Sequence, residues 1–390
     1  MIRFFDRLSL VVFCLCSPPG TLLFMFFSHS RAFVVSKILA AILCLYWLFR
    51  IGCRRIDVKE LRFYSVIAVI AVCYFFMAII HGEYSSGLIG GFRILVLMLF
   101  AVFCFTCIGR CELVDFYIRF ALIASVFVMI GFVFSQFDYD GISQYLNPDE
   151  RLAYNYIFST SNALYQFGGI SFPRMAFYFD EPGTFALIVC TAYILLEMNR
   201  GGVYQKLTLI VSGFLTMSMA FFLIFGVLQL SKVNVKNLKS TLVFWGLFLF
   251  LAIAIVYSPV GQVVDSLVFG RLESIFNGGA GNTRAAVTKN AIEYFFGSPL
   301  LGVGFNSAGK YEFFGANIFY FLAIGGVFFI PLYIPLFYLS VRYLRAKCVF
   351  YLAPILLLFF QRPDYLLPYG FFSFLVLMVF PSSFKAKSLI

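Results

Sequence analysis

The chain has 390 residues, of which 62% are hydrophobic and only 12% charged, and it carries a formal net charge of +11. A soluble globular domain holds roughly 45–50% apolar and about 25% charged residues, so this composition excludes one. The positive charge does not call for nucleic acid, because basic loops facing anionic lipid heads account for it.

Apolar runs near 20 residues, separated by short charged stretches, match the length a helix needs to cross a hydrocarbon core of roughly 30 Å. Transmembrane strands would be about 10 residues long and alternate apolar with polar, which these runs do not. In chain order the expected spans are Leu8–Phe27, Phe33–Phe49, Phe63–Ile80, Leu88–Ile108, Asp115–Gln136, Gly183–Met198, Leu207–Leu230, Thr241–Tyr257, Asn317–Ser340, Cys348–Phe360 and Tyr365–Phe380. Pro18 and Pro19 are expected to kink the first, since Pro lacks a backbone donor and clashes with the preceding turn. The fold class is therefore all-α: a polytopic bundle of about 10–12 spans, a single integral membrane domain over 1–390, with no repeat or soluble domain in view.

Orientation follows from Lys and Arg, which inserted helices leave on the cytoplasmic side. Eighteen of the 29 cluster at Arg3 and Arg7, Arg50–Arg62, Arg110, Arg200 and Lys206, Lys232–Lys239, Arg342–Lys347, and Lys385 with Lys387. Both termini are placed in the cytoplasm on this count. Leu207–Leu230 has a basic loop at each end, so a single crossing would place one cluster outside. Two half-spans meeting near Thr216–Ser218 return the chain to the cytoplasm, with the broken backbone lining a cavity or buried in protein. Both long loops, 137–182 and 258–316, then face outward. All ten cysteines lie outside those two loops.

The first long loop ends in Arg174-Met-Ala-Phe-Tyr-Phe-Asp180-Glu181-Pro182-Gly183 and runs straight into a helix. Glu181 followed by Pro suits a helix N-cap with Pro at the first helical position. Arg174, among aromatics near the membrane surface, requires an acidic or anionic partner. In the second long loop, Asn282 or Thr283 opens and Gly297 closes a short helix, with Ala285, Thr288, Ile292 and Phe295 on one face. Arg284 falls in its first turn, where free N–H groups favour anions. Gly302-Val-Gly304 fits a tight turn better than a phosphate loop. Within the spans, Arg93 is a substrate-facing candidate, because an intramembrane Arg is functional by default. Arg119 sits near an inner end and is expected to snorkel. Asp138-Tyr-Asp140 has the form of a metal-binding Asp-x-Asp, but a solvated loop explains it as well.

The Arg174…Asp-Glu-Pro-Gly stretch, followed by Arg284…Ser298-Pro-Leu-Leu-Gly-Val-Gly304, resembles the bacterial O-antigen polymerase and ligase superfamily over roughly 167–326. Its polymerases are often called Wzy. Thr216-Met-Ser218 is similar to a Thr/Ser feature of that family's middle helices. The resemblance implies a glycosyltransferase of the bacterial inner membrane that joins undecaprenyl-diphosphate-linked oligosaccharide units at the periplasmic face, using neither cofactor nor metal. A chain-length regulator and a flippase are the implied partners beside membrane lipids. Carried over by motif, Arg174 and Arg284 bind the diphosphate and glycan; Arg93, Arg271 and Asn317 are further substrate-binding candidates. Glu181 and Asp180 are the catalytic candidates, as acceptors of the proton from the attacking hydroxyl. Two other functions compete. The ligase branch usually carries a His just before the Asn that resembles Asn317, whereas Gly315 and Ala316 precede it here, and the chain's only histidines are His29 and His81. A lipid-glycan flippase would more often show inverted repeats and midplane charge. The polymerase fits best.

Overall fold

The computed structural model describes residues 2–17, 20–53, 58–137, 141–147, 152–156, 158–167, 170–179, 181–199, 201–231, 283–305, 317–345, 349–354, 356 and 370–378. It is mostly helical (79%). Among the described residues, four helices are long and apolar enough to cross a membrane: His29–Gly52, Tyr84–Ile108, Arg110–Ser135 and Tyr320–Arg345. Shorter apolar helices cover Ala68–His81, Pro182–Met198, Val203–Leu215 and Ala220–Gln229. The expected span Thr241–Tyr257 lies outside the described residues.

Helix α1 (Ile2–Cys16) stops where a kink was expected. Ser17 N–H makes a last helical bond to Phe13, and Gly20 then turns back onto Ser17. A side chain at Gly20 would collide with the Cys14 carbonyl at 2.7 Å, so glycine is required for this close approach. Two successive prolines remove consecutive donors, which ends a helix rather than bending it. Beyond the break the chain pairs with the first long loop: Gly20 bridges Phe179, and Thr21 N–H donates to the Tyr178 carbonyl.

α2 (His29–Gly52) and α3 (Val58–His81) flank α4 (Tyr84–Phe103). The α3–α4 seam is made of small residues, as expected where lipid supplies no hydrophobic drive and packing must do the work. A Cβ on Gly91 would stand 2.6 Å from the Phe75 ring, and one on Gly90 2.5 Å from that of Tyr74. A π-helical turn, Cys104–Ile108, leads through Gly109 (φ +88°) into α5 (Arg110–Ser135).

The first long loop is a folded element, which corrects the purely helical expectation. Four antiparallel strands, β1 (Ser143–Leu146), β2 (Leu152–Tyr156), β3 (Ser159–Phe167) and β4 (Ile170–Phe177), form a meander in the order β1-β2-β3-β4. Tyr154 faces Ser161 and Thr160 faces Phe177, with irregularities in the β3–β4 register between Thr160 and Leu164. One side rests on α5, where Gly131 admits Ser159 and Met175.

α6 (Pro182–Met198) is buried along nearly its whole length and forms the centre of the helical layer. α7 (Val203–Leu215) and α8 (Met219–Ser231) both pack on it and meet at Thr216–Ser218, the break expected from charge. Met217 adopts φ +44°, a conformation that costs a non-glycine residue about 1–2 kcal/mol and cannot continue a right-handed helix. The two helices fold back on each other. Lys206 pairs with Glu197 at 2.8 Å, a side chain at Gly183 would touch Ser218 Oγ at 3.5 Å, and Gln229 Nε2 donates to Tyr193 Oη at 3.2 Å. The chain thus climbs the length of α6 and returns beside it.

α9 (Thr283–Gly297) is the short helix expected in the second loop. Its buried face runs through Val287 and Ala291, about one residue round from the expected stripe. Ala291 is small enough for close approach, and Asn317 reaches the Val287 carbonyl. α10 (Tyr320–Gly325), a 3-10 segment (Gly326–Tyr333) containing Pro331, and α11 (Ile334–Arg345) follow.

The two ends of the helical layer differ chemically. Arg3 and Arg7 reach Glu112, while buried Asp6 accepts both forks of Arg50 at 2.8 and 2.7 Å and the Tyr46 hydroxyl at 2.7 Å. The N-terminus, the end of α2 and the start of α5 therefore share one basic end. The sheet, the α3–α4 turn and the 298–305 turn sit at the other.

Candidate functional site

At the end away from the basic clusters, β4 delivers its chain into α6. Met175 and Ala176 are fully buried, and Phe177 sits among Phe120, Phe127, Tyr178, Phe179 and Phe185 with φ +53°. Thr160 Oγ1 donates to the Phe177 carbonyl, fixing this strained residue. Arg174, between Pro173 and Met175, is half-buried. Burial pushes the Tyr178 hydroxyl above its usual value, so it stays neutral.

Glu181 takes the N-cap position of α6 with extended backbone (φ −138°, ψ 147°) and Pro182 follows at the first helical position, as the sequence indicates. Its backbone carbonyl accepts the Thr184 N–H at 3.1 Å. Its half-buried carboxylate makes no capping bond, so the expected side-chain cap is not formed. Asp180 lies outside the described residues, as do Arg271, Asp138 and Asp140.

The break between α7 and α8 arrives beside this helix start. Thr216 is fully buried, donates to the Gly213 carbonyl at 2.6 Å and accepts the Ser218 N–H at 3.2 Å. Ser218 then lies against Gly183. The depth follows from Ser212, which donates to Ser125 on α5 at 2.8 Å. From that contact α7 rises about 6 Å to the break, while α5 rises about 15 Å to Ser135, at 1.5 Å per residue. The helix start and the break therefore lie together about 9 Å short of the end of α5, beneath the sheet.

A second assembly occupies the same end. Gly302 (φ +66°) and Gly304 (φ +88°) shape a turn that pairs with α10: Val303 N–H donates to Ala323 and Gly304 N–H to Ile324. His81 Nε2–H donates to the Leu301 carbonyl at 2.9 Å, and Glu83 accepts the Phe305 N–H. A Cβ on Gly304 would stand 2.9 Å from both Glu83 oxygens. A carboxylate thus fills the position a phosphate would need, and the Gly-Val-Gly element is a turn, as expected. Sequence reading missed Glu83. Its only signal is that it follows Gly82, whose positive φ marks a tight turn.

Asn317, buried, accepts the Phe319 N–H at 2.8 Å and reaches Val287 on α9 at 3.5 Å. Both ends of its amide serve the backbone, so it fixes α9 against the start of α10. Arg284 is the second residue of α9. The described contacts group Arg174 with α5 and α6, and α9 with α10. Both groups lie at one end of the layer, but no described contact joins the two arginines. Arg93 and Arg119 are both exposed. Among the described residues no group of three or more His, Cys, Asp or Glu side chains is arranged to hold a metal ion.

A half-buried guanidinium and the start of a 17-residue helix are features that favour an anionic group. No family model matches the sequence, and no curated protein matches it at a significant level.

Proposed function

We propose that the chain is a polysaccharide polymerase of the bacterial inner membrane, of the O-antigen polymerase (Wzy) kind, with ten to twelve spans, cytoplasmic termini and both long loops in the periplasm. The observation that carries this reading is the contact of Gly183 with Ser218. It brings the Arg174…Glu181-Pro-Gly segment and the Thr216-Met-Ser218 break, two separate points of resemblance, together beneath the sheet and away from the basic clusters.

The chemistry follows from what the bond requires. The donor oligosaccharide is linked through its anomeric carbon to undecaprenyl diphosphate. An acceptor hydroxyl attacks that carbon, the bond to the diphosphate oxygen breaks, and the electron pair leaves with the diphosphate. Arg174 and Arg284 hold the diphosphate and balance the charge that grows on it; removing one such donor typically costs about 100–1000-fold in rate. Glu181, with Asp180 beside it, takes the proton of the attacking hydroxyl. Because the diphosphate is a stable anion, no acid is needed on the leaving group.

The test is the glycan made by a deletion strain. Single repeat units on lipid A core are expected when a polymerase is lost, with full-length polymer restored by the intact gene. Polymer stranded on carrier lipid would mean a ligase, and an unchanged profile would remove the proposal.

A further inference from the structure

We infer that the β2–β3 turn is inserted into the bilayer, with the Phe158 ring lying against the acyl chains of phospholipid in the leaflet at the sheet end. Two contacts fix where the turn sits. Its flanking residues close on α5 at Gly131, where a Cβ would stand 2.7 Å from Ser159 Cβ and 3.2 Å from the Tyr156 carbonyl oxygen. From there the Phe158 ring reaches one helical turn further down and stacks on Phe127, with centroids 5.0 Å apart and planes at 19°. Phe127 lies eight residues, about 12 Å at 1.5 Å per residue, from Ser135 on one side and from Arg119 on the other. No charged residue falls between those two positions. The ring contact is therefore midway along an uncharged stretch of about 24 Å, most of a hydrocarbon core of roughly 30 Å.

At that level Phe158 is still 39% exposed. What it is exposed to follows from the residues around Phe127. At about 100° per residue, Ile123 and Phe134 stand within about 40° of Phe127 on α5. They are 57% and 43% exposed, so the ring lies at the margin of the outward face of α5. That helix is one of those long and apolar enough to cross a membrane, and its outward face at this depth meets lipid. The backbone suits the same surroundings, since a chain in hydrocarbon must satisfy its own polar groups. The Phe158 N–H donates to the Tyr156 carbonyl at 2.6 Å, and Tyr156 faces Ser159 in the ladder, both of them buried. Covering the exposed part of an aromatic ring with acyl chains is favourable in proportion to the apolar area removed from water. Phe127 also stacks on Phe177, with centroids 6.4 Å apart, so the lipid surface lies two ring contacts from the strained residue ahead of α6. This surface is independent of the glycan chemistry proposed above.

The test places a nitroxide on Phe158→Cys in the full-length, otherwise cysteine-free protein, reconstituted in phosphatidylcholine bilayers as a single species. Its collisions with oxygen, which concentrates in hydrocarbon, and with a water-soluble nickel chelate are read by spin resonance. The label at 158 is expected to meet oxygen and not the chelate, whereas a label on Leu152→Cys, in the neighbouring β1–β2 hairpin, should meet the chelate. Because the nitroxide gives up the stack on Phe127, Phe158→Trp supplies a variant that keeps an aromatic there. Its added emission, over that of the parent with Trp47 and Trp245, should be lost in acyl-brominated phosphatidylcholine and spared by iodide. Chelate or iodide reaching position 158 would overturn the inference in favour of a water-filled crevice. A position reached by neither the lipid probes nor the aqueous ones would overturn it in favour of cover by protein, from the rest of the chain or from a second copy.

Discussion

The sharpest test of the folded-back α7–α8 pair is Gly213→Ala. Two carbons of the Phe221 ring, Cδ2 and Cζ, would stand 2.5 Å from the added Cβ. Cε2 of the same ring lies nearer still, so the ring must retreat by more than about 1 Å to reach the 3.4 Å of ordinary contact. It has nowhere to go: Phe221 is 1% exposed, stacks on Phe225 at 5.5 Å and meets Phe214 edge-on at 5.3 Å. Overpacking of this kind costs about 1–3 kcal/mol, partly offset by the roughly 1 kcal/mol that alanine gains over glycine inside a helix. Gly226→Ala on α8 supplies the control, because a Cβ there meets nothing within 4 Å. Unfolding in mixed detergent micelles should show Gly213→Ala destabilised by up to about 2 kcal/mol and Gly226→Ala neutral or stabilised by up to about 1 kcal/mol. Phe221→Leu should recover part of the loss in the Gly213→Ala background. Equal shifts of the same sign for both glycines would refute the close contact, and with it the fold-back that places Ser218 beside Gly183.

Three further outcomes follow from the site. Leu152→Cys and Leu300→Cys, at positions 45% and 66% exposed, should both react with an impermeant maleimide in cells with a permeabilised outer membrane, whereas labelling of only one would separate the two loops; Ser159 is fully buried and would report nothing. Arg174→Ala and Arg284→Ala should each reduce polymer by about 100-fold or more, with Lys partly active. The double variant should cost less than the sum of the two, because both act on one group, and additive losses would argue for separate sites. Glu181→Asn keeps a side chain able to cap α6 and should express normally yet abolish polymer, while Glu181→Asp retains some; an active Asn variant would move the base to Asp180.

Composition and charge alone indicated a chain of apolar helices, several long enough to cross a membrane, where its basic end lies, and a break within residues 207–230 near Thr216–Ser218. These are properties of free energies summed over many residues, so local sequence suffices to read them. The helix over 283–297 and the turn at Gly302–Gly304 were legible for a related reason, since caps and glycines act within a few residues of themselves. The sheet was not. Its strands are only four to nine residues long and are buried by contact with α5, an element outside their own segment. Likewise nothing near Glu83 indicates Phe305, a partner 222 residues away. Both faces of a membrane helix are apolar, so periodicity carries little information there. Only tertiary packing decided which one turns inward, because it rests on which small residues let neighbouring helices approach.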